Sequence, residues 1–340
     1  MRISDLPTGT EHERVLLGED DDSGYRGIVA IHSTRLGPAV GGTRWWRYAS
    51  DEAALTDVLR LARGMSYKNA VAGLPLGGGK AVVFAGNGEG TAGREARLLA
   101  HGRFVESLDG RYITAEDVGT SFEDMAIVRR ETRHVAGLND PSPVTARGVL
   151  RALLAAAAHR WGTERLAGRT VALQGCGHVG SQLARQLAAT GARLVVCDVD
   201  GARAARCAAD SGASVVAADA VFEVPADVLA PCALGGTLNE NTIPRLRCEL
   251  VVGAANNQLA EPADAERLAA RGILYAPDYV ANAGGVIDGA RTICGWTLER
   301  SRAAVEAIFE TMRDVLARAD TAGITPAAAA DRLAEARLGR

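Results

Sequence analysis

Residues 170–198 read TVALQGCGHVGSQLARQLAATGARLVVCD. An apolar run at 170–174 predicts a strand, and 181–190 has the spacing of a helix. A second apolar run at 193–197 ends on Asp198. Between strand and helix, Gly175, Gly177 and Gly180 stand in G-x-G-x-x-G spacing, with Cys176, His178 and Val179 filling the loop. The motif alone is weak. Here it follows a strand, opens a helix and has an acidic residue 18 positions beyond Gly180, which completes the dinucleotide fingerprint. The first glycine suits a tight turn, the second admits a pyrophosphate, and the helix N-terminus attracts its charge. Asp198 is placed to accept from a ribose 2′-hydroxyl and to repel a 2′-phosphate, which favours NAD over NADP. Arg203 and Arg206 just beyond are the feature that would tolerate NADP. A Rossmann-like unit that binds nothing is the alternative.

Working outward, the β/α alternation continues. Apolar runs at 214–217, 228–230, 250–254 and 273–276 end in small or polar residues. Ala233 follows the second of these, and Ala254, Ala255, Asn256 and Asn257 close the third. Such endings suit the carboxyl edge of a parallel sheet that meets a dinucleotide. Paired asparagines can donate and accept together, and turn asparagines are the alternative. Residues 282–285 (NAGG) read as a hinge before the final helices. Upstream, LNDPSP at 138–143 is the best domain boundary. The expected domains are 1–138, 139–288 and a helical 289–340 that packs back across both.

The first part carries a second glycine-rich set: GPAVGGTRWW at 37–46, YKNA at 67–70 and LPLGGGKA at 74–81. Ser50 caps a helix, with Asp51 and Glu52 in its first turn and an expected end near Gly64. Lys68 and Lys80 would then flank a strand-and-turn region, with the triple glycine as a hinge at Lys80. A flexible turn carrying a solvated lysine is the bland alternative. It is not a P-loop, because Ala81 stands where Ser or Thr is required. A lysine among apolar neighbours can serve as a base. The run 111–115 predicts a strand ending at Glu116–Asp117, a position favoured for catalysis in α/β folds. A helix N-cap is the other role open to Asp117.

Composition narrows the class. The chain has 340 residues, 47% hydrophobic and 23% charged, enough for two domains. A net charge of −3 gives no basic field for nucleic acid. No signal sequence and no stretch near the roughly 20 apolar residues of a membrane span are seen. The six cysteines all lie in the second half without a CxxC, which points to a reduced cytoplasmic protein without a zinc site.

The motifs GPAVGGTRWW, YKNA, LPLGGGKA, YITAEDVGT, PSPVTA, GCGHVG, APCALGG, GAANNQL and APDYVANAGGVI together resemble the Glu/Leu/Phe/Val amino-acid dehydrogenases, in particular the leucine (branched-chain) and phenylalanine enzymes. The resemblance runs from about residue 12 to 337. It implies two α/β domains around a cleft: an N-terminal substrate domain and a Rossmann-type dinucleotide-binding domain. It implies oxidative deamination of an L-amino acid to the 2-oxo acid and ammonia, with NAD as cofactor and a homo-oligomeric assembly. On the matching positions, Lys80 is the catalytic lysine and Asp117 its acid/base partner. Lys68 with the backbone of Gly41 and Gly42 holds the substrate carboxylate. Thr145 meets the nicotinamide carboxamide, and Asn256 and Asn257 lie against the ribose and substrate.

Val40 stands where glutamate-specific relatives carry a lysine, and a buried carboxylate without a partner is costly. An apolar substrate side chain is therefore expected. Ala115 and Val286 match the branched-chain pattern, whereas Gly289 departs from it and would admit an aromatic side chain. The expectation is Leu, Val or Ile, with Phe or Trp as the alternative. The short 137–141 connection is a second departure. A silent NAD-binding regulator on the same fold would be expected to lack one of Lys68, Lys80 and Asp117. A hydroxy-acid dehydrogenase would call for a His or Arg pair, and none of the six histidines sits in such a motif.

Overall fold

The computed structural model describes residues 1–7, 11–86, 90–137 and 140–339. Residues 138 and 139 of the expected boundary and of the short connection lie outside the described residues. The chain divides into two compact units. One is Met1–Asp140 with Thr292–Gly295 and Ala334–Arg340, and the other is Pro141–Arg291 with Trp296–Leu333.

In the first unit, strands β1 (Arg2–Asp5), β2 (Arg14–Asp20), β3 (Tyr25–Ser33) and β4 (Ala39–Trp46) lead into helix α1 (Asp51–Val71). Strand β5 (Gly77–Phe84), helix α2 (Thr91–Glu106), strand β6 (Tyr112–Glu116) and helix α3 (Phe122–Val128) follow. The six strands form one sheet in the order β1-β2-β3-β5-β4-β6. Pairing is antiparallel from β1 through β5 and parallel where β4 sits between β5 and β6. One face of the sheet packs Val15, Ile28, Ala30 and Val82 against Ala54, Val58 and Ala62 of α1. The other packs Val29, Ile31, Trp45, Ala81 and Val83 against Leu98, Phe104 and Met125.

Two expectations change here. The helix capped by Ser50 does not end near Gly64. It continues to Val71, because Tyr67, Asn69, Ala70 and Val71 are buried and Asn69 Nδ2 donates to the Gly77 carbonyl at 2.6 Å. A helical glycine costs only about 1 kcal/mol, less than that packing returns. Lys68 therefore lies in the last helical turn. Nor is the triple glycine a hinge. It opens β5, in the interior of the sheet. A Cβ on Gly78 would stand 2.0 Å from the backbone nitrogen of Ser66, so glycine is what lets α1 press onto the strand.

In the second unit, helix α4 (Ser142–Trp161) precedes β7 (Thr170–Gln174), α5 (His178–Ala188), β8 (Arg193–Cys197), α6 (Gly201–Ser211) and β9 (Ser214–Val215). Then come β10 (Val228–Pro231), β11 (Leu250–Val251), α7 (Ala263–Ala270), β12 (Leu274–Tyr275), α8 (Asp278–Ala281), α9 (Gly284–Cys294), α10 (Leu298–Glu306), α11 (Ile308–Ala322) and α12 (Pro326–Leu338), with the last residues of α9 and α12 counted in the first unit. The strands form an all-parallel sheet, β12-β11-β10-β7-β8-β9. The order reverses between β7 and β10, so the loop after β7 opens at the switch point. Strands β9, β11 and β12 are shorter than their apolar runs. Single hydrogen bonds such as Val252 N–H to Leu229 O at 3.0 Å extend the pairing past β11.

The expected hinge at 282–285 is instead a tight helix contact. A Cβ on Gly284 would lie 2.4 Å from the Val144 carbonyl of α4, so these glycines let the start of α9 seat on α4. Among the described residues, no helix is long and apolar enough to cross a membrane.

The β5 packing is open to test. Gly78→Ala is expected to cost about 2–3 kcal/mol, since backbone must move. A urea midpoint equal to that of the wild type would show that the glycines behave as a tolerant turn.

Candidate active site

In the first unit, Lys80 is 5% exposed on β5. Its Nζ lies 2.9 Å from Asp117 Oδ1, just past the end of β6. Asp117 Oδ2 accepts from Arg44 Nε at 3.0 Å. The Asp117 backbone N–H donates to Thr120 Oγ1 at 2.9 Å, and that hydroxyl also reaches the Thr43 carbonyl at 2.9 Å. Asp117 is thus fixed at both its backbone and its carboxylate. It is not a helix N-cap: Ser121 caps α3 in a reciprocal capping box with Asp124. Burial alone would raise the Asp117 carboxyl, but the charges of Lys80 and Arg44 outweigh it and hold the group below the usual carboxylate range. Removing one partner of so buried a pair would strand the other charge, at about 3–5 kcal/mol.

The remaining candidates of this unit lie on β4, β6 and α1. Val40, Gly41 and Gly42 lie on β4 beside Ile113, Thr114 and Ala115 of β6. A Cβ on Gly42 would come within 2.2 Å of the Glu116 carbonyl and 2.8 Å of Asp117 Cβ, so backbone meets backbone at the acid. Lys68 is half-buried on α1 between Ser66 and Asn69, both of which touch the β5 glycines.

Several supporting residues had no local sequence signal. His101 is fully buried, with Nδ1 2.9 Å from the Tyr25 hydroxyl and Nε2 2.7 Å from Thr43 Oγ1. Thr43 Oγ1 lies 2.6 Å from Thr114 Oγ1. Burial pushes His101 down to about 3, so it is neutral scaffold joining α2 to β4 and β6. Tyr112 donates to the Gly41 carbonyl at 2.6 Å.

Glu116 behaves unlike its neighbour. Burial first, then the charges of Asp140, Asp117 and Glu123, push it up to about 7. The run of acids in the sequence was the only hint of this.

In the second unit, β7 delivers the chain to Gly175, whose φ of +96° is the left-handed turn expected of the first motif glycine. A Cβ on Gly180 would strike the Gly175 carbonyl at 1.9 Å. Gly177 precedes α5, whose first amides have no side-chain cap, and a Cβ there would meet nothing within 4 Å. Helix α5 begins at His178, three residues before the sequence suggested, and includes Val179. An open glycine cradle beneath an uncapped helix N-terminus fits a pyrophosphate. Asp198 Oδ2 accepts from the Cys176 amide at 2.7 Å and Oδ1 from the Asp200 amide at 2.8 Å. Each oxygen keeps a lone pair for a ribose hydroxyl.

Ala233 packs against Gly175. Ala255 is buried, its amide bonded to Pro231 O at 2.9 Å. Asn282 Nδ2 lies 3.1 Å from Ala254 O and 2.8 Å from Asn256 Oδ1, so Asn282 orients the asparagine named from the sequence. Asn257 adopts φ +52°, a left-handed position that asparagine tolerates. Thr145 Oγ1 would be 3.0 Å from a Cβ on Gly285. Val286 and Gly289 lie on α9, and the space around Gly289 is open.

The second unit is a parallel sheet with a dinucleotide-type glycine loop at its switch point, and the first unit separately holds a buried lysine–carboxylate pair. Residues 12–134 match the Glu/Leu/Phe/Val dehydrogenase dimerisation domain, and residues 198–333 match the Glutamate/Leucine/Phenylalanine/Valine dehydrogenase domain. The chain is 47% identical to a leucine dehydrogenase of Thermoactinomyces intermedius, over 99% of this chain and 94% of that protein. It is 50% identical to a valine dehydrogenase of Streptomyces coelicolor, over 96% and 92%. It is also similar to the crystal structure of L-tryptophan dehydrogenase from Nostoc punctiforme, with TM-score 0.85 and 43% identity over 97% of this chain and 96% of that one. The chain belongs to the Glu/Leu/Phe/Val dehydrogenase family and is an amino-acid dehydrogenase.

The Glu116 environment makes a pH prediction. A carboxyl raised in the folded state favours folding below its ordinary value near 4.5, and that contribution is lost as pH rises toward about 7. Glu116→Gln should therefore gain thermal stability relative to wild type across that interval. Melting temperatures that keep a constant difference from pH 4.5 to 7 would contradict it.

Proposed function

We propose that this enzyme catalyses the reversible, NAD-dependent oxidative deamination of an aliphatic L-amino acid (Leu, Val or Ile) to the 2-oxo acid and ammonia. The observation that carries the reading is the buried Lys80–Asp117 pair among close-packed glycines, with an apolar residue, Val40, buried on the neighbouring strand β4. An apolar Val40 favours an apolar substrate side chain, because a second carboxylate would be desolvated unpaired. The named leucine and valine relatives agree with that choice.

Bound NAD supplies the acceptor for the hydride that leaves the substrate Cα. Lys80 takes the proton from the water that adds at that carbon, and Asp117 receives and returns protons across the 2.9 Å contact. Lys68 and the amides of Gly41 and Gly42 bind the substrate α-carboxylate. Gly175, Cys176, Gly177, His178, Val179 and Gly180 would hold the pyrophosphate and Asp198 the adenosine ribose. Thr145, Ala233, Ala254, Ala255 and Asn256 would line the nicotinamide end, with Asn257, Val286 and Gly289 toward the substrate. The Asp198 charge disfavours a 2′-phosphate, and Arg203 is engaged by Asp200 at 3.3 Å, which supports NAD over NADP. The domain division read from the sequence, 1–138, 139–288 and 289–340, is kept as part of this proposal. So is a cytoplasmic homo-oligomer, for which the name of the dimerisation domain is the support.

An aromatic substrate is the second reading. It is favoured by the open space at Gly289 and by the likeness to a tryptophan dehydrogenase. A panel of Leu, Val, Ile, Phe, Trp, Glu and Ala with NAD or NADP, followed by NADH or NADPH absorbance at alkaline pH, decides between them. The expected result is turnover of Leu, Val and Ile with NAD at least tenfold faster than of Phe or Trp. Faster turnover of Phe or Trp would install the aromatic reading, and turnover of Glu alone would remove the Val40 argument.

A further inference from the structure

Arg44 has no part in the chemistry above, yet its guanidinium bridges two carboxylates. Nε donates to Asp117 Oδ2 at 3.0 Å and Nη1 to Asp57 Oδ2 at 2.8 Å. Lys80 occupies the other oxygen of Asp117, so the two oxygens of one acid are divided between a lysine and an arginine. Asp57, on α1, is itself held by the Tyr48 hydroxyl at 2.8 Å and by Arg60 at 3.2 Å. The result is an alternating row of charges, Lys80, Asp117, Arg44, Asp57 and Arg60, that starts at the buried lysine and ends at an exposed side chain.

The row rests on rigid backbone. Arg44 lies on β4 opposite Val82, on the face that packs against α1. The next amide, Trp45 N–H, donates to Val118 O at 2.9 Å, which ties β4 to the segment carrying Asp117. A guanidinium stays charged and is planar, so it fixes both the charge and the plane of a carboxylate it touches. A lysine in its place would be a mobile point charge.

We propose that Arg44 is a positioning residue for the reaction: it holds the Asp117 carboxylate ionised, with one oxygen turned to Lys80, and Asp57 sets how much of the Arg44 charge reaches Asp117. The proposal rests on Asp117 being the acid/base group. The titratable and charged groups that face Asp117 are Lys80 from β5, Arg44 from β4, Glu116 and Tyr112 from β6, Tyr48, and Asp57 of α1 through Arg44. Lys80 and Arg44 favour the carboxylate, and ionised Glu116 opposes it. Both tyrosines are raised by burial and stay neutral.

Opposite substitutions should act with opposite sign. The acid limb of the kcat profile follows the proton that Asp117 gives and takes. Arg44→Gln removes a cation, so Asp117 holds its proton more tightly and the limb moves to higher pH. Asp57→Asn removes an anion, leaves Arg44 wholly to Asp117, and moves the limb to lower pH. The experiment measures kcat and KM against pH for leucine with saturating NAD. It compares wild type, Arg44→Gln, Arg44→Lys, Asp57→Asn and Asp117→Asn, and repeats Arg44→Gln in a Glu116→Gln background to separate the nearby carboxyl.

The expected result is a rise of about one pH unit in Arg44→Gln, a tenfold loss at the foot of the wild-type limb. A fall is expected in Asp57→Asn, and a return toward wild type in Arg44→Lys, with KM for leucine within twofold throughout. If Arg44→Gln does not fold, the downward shift in Asp57→Asn supports the proposal and its absence refutes it. Limbs that move the same way in both variants, or in neither, while Asp117→Asn is inactive, overturn the role of Arg44 and leave Asp117 standing. Full activity in Asp117→Asn removes the acid/base reading and the proposal with it.

Discussion

The structure of the first unit turns on one electrostatic constraint: the amine of Lys80, 5% exposed, must meet a polar partner. A buried cation without a partner would cost several kcal/mol or shed its proton. Asp117 answers that need, and the way it is held organises the strands around it. Its backbone is fixed through Thr120 to β4, and its second oxygen is taken by Arg44. Behind the sheet, the neutral His101 with Tyr25, Thr43 and Thr114 locks β4 and β6 to α2.

Close backbone approach is the second constraint. At Gly42, Gly78 and Gly180 a Cβ would fall 1.9–2.2 Å from another backbone atom. In the first unit this lets strand and helix close on Lys80, and in the second it lets α5 start directly above Gly175. Both use the missing side chain to let one stretch of backbone close on another.

What could be read from the sequence follows from how local each cause is. The 170–198 fingerprint is a local unit, and strand, loop, helix and strand appear in that order with Asp198 at the end. The Ser50 cap was legible for the same reason. The end of α1 was not: Gly64 is an ordinary stop signal, overridden by the burial of Tyr67 to Val71 and by the bond from Asn69 to β5. The glycines at 77–79 and 284–285 looked like hinges because sequence shows the missing side chain but not the neighbour that fills its place. The Lys80–Asp117 contact joins separate elements, β5 and the end of β6. Arg44, Asp57 and His101 act only through such contacts, so no spacing rule marks them.

The central claim is that the buried Lys80 is the catalytic base and not only a structural counter-ion to Asp117. It is tested most directly by Lys80→Ala, measuring kcat for leucine oxidation together with the dissociation constant of NADH. The account predicts a fall in kcat of roughly a thousandfold or more, as for loss of a group that moves protons in a buried site, with NADH binding within a few-fold of wild type. A variant that binds NADH normally and keeps kcat within tenfold of wild type would contradict it.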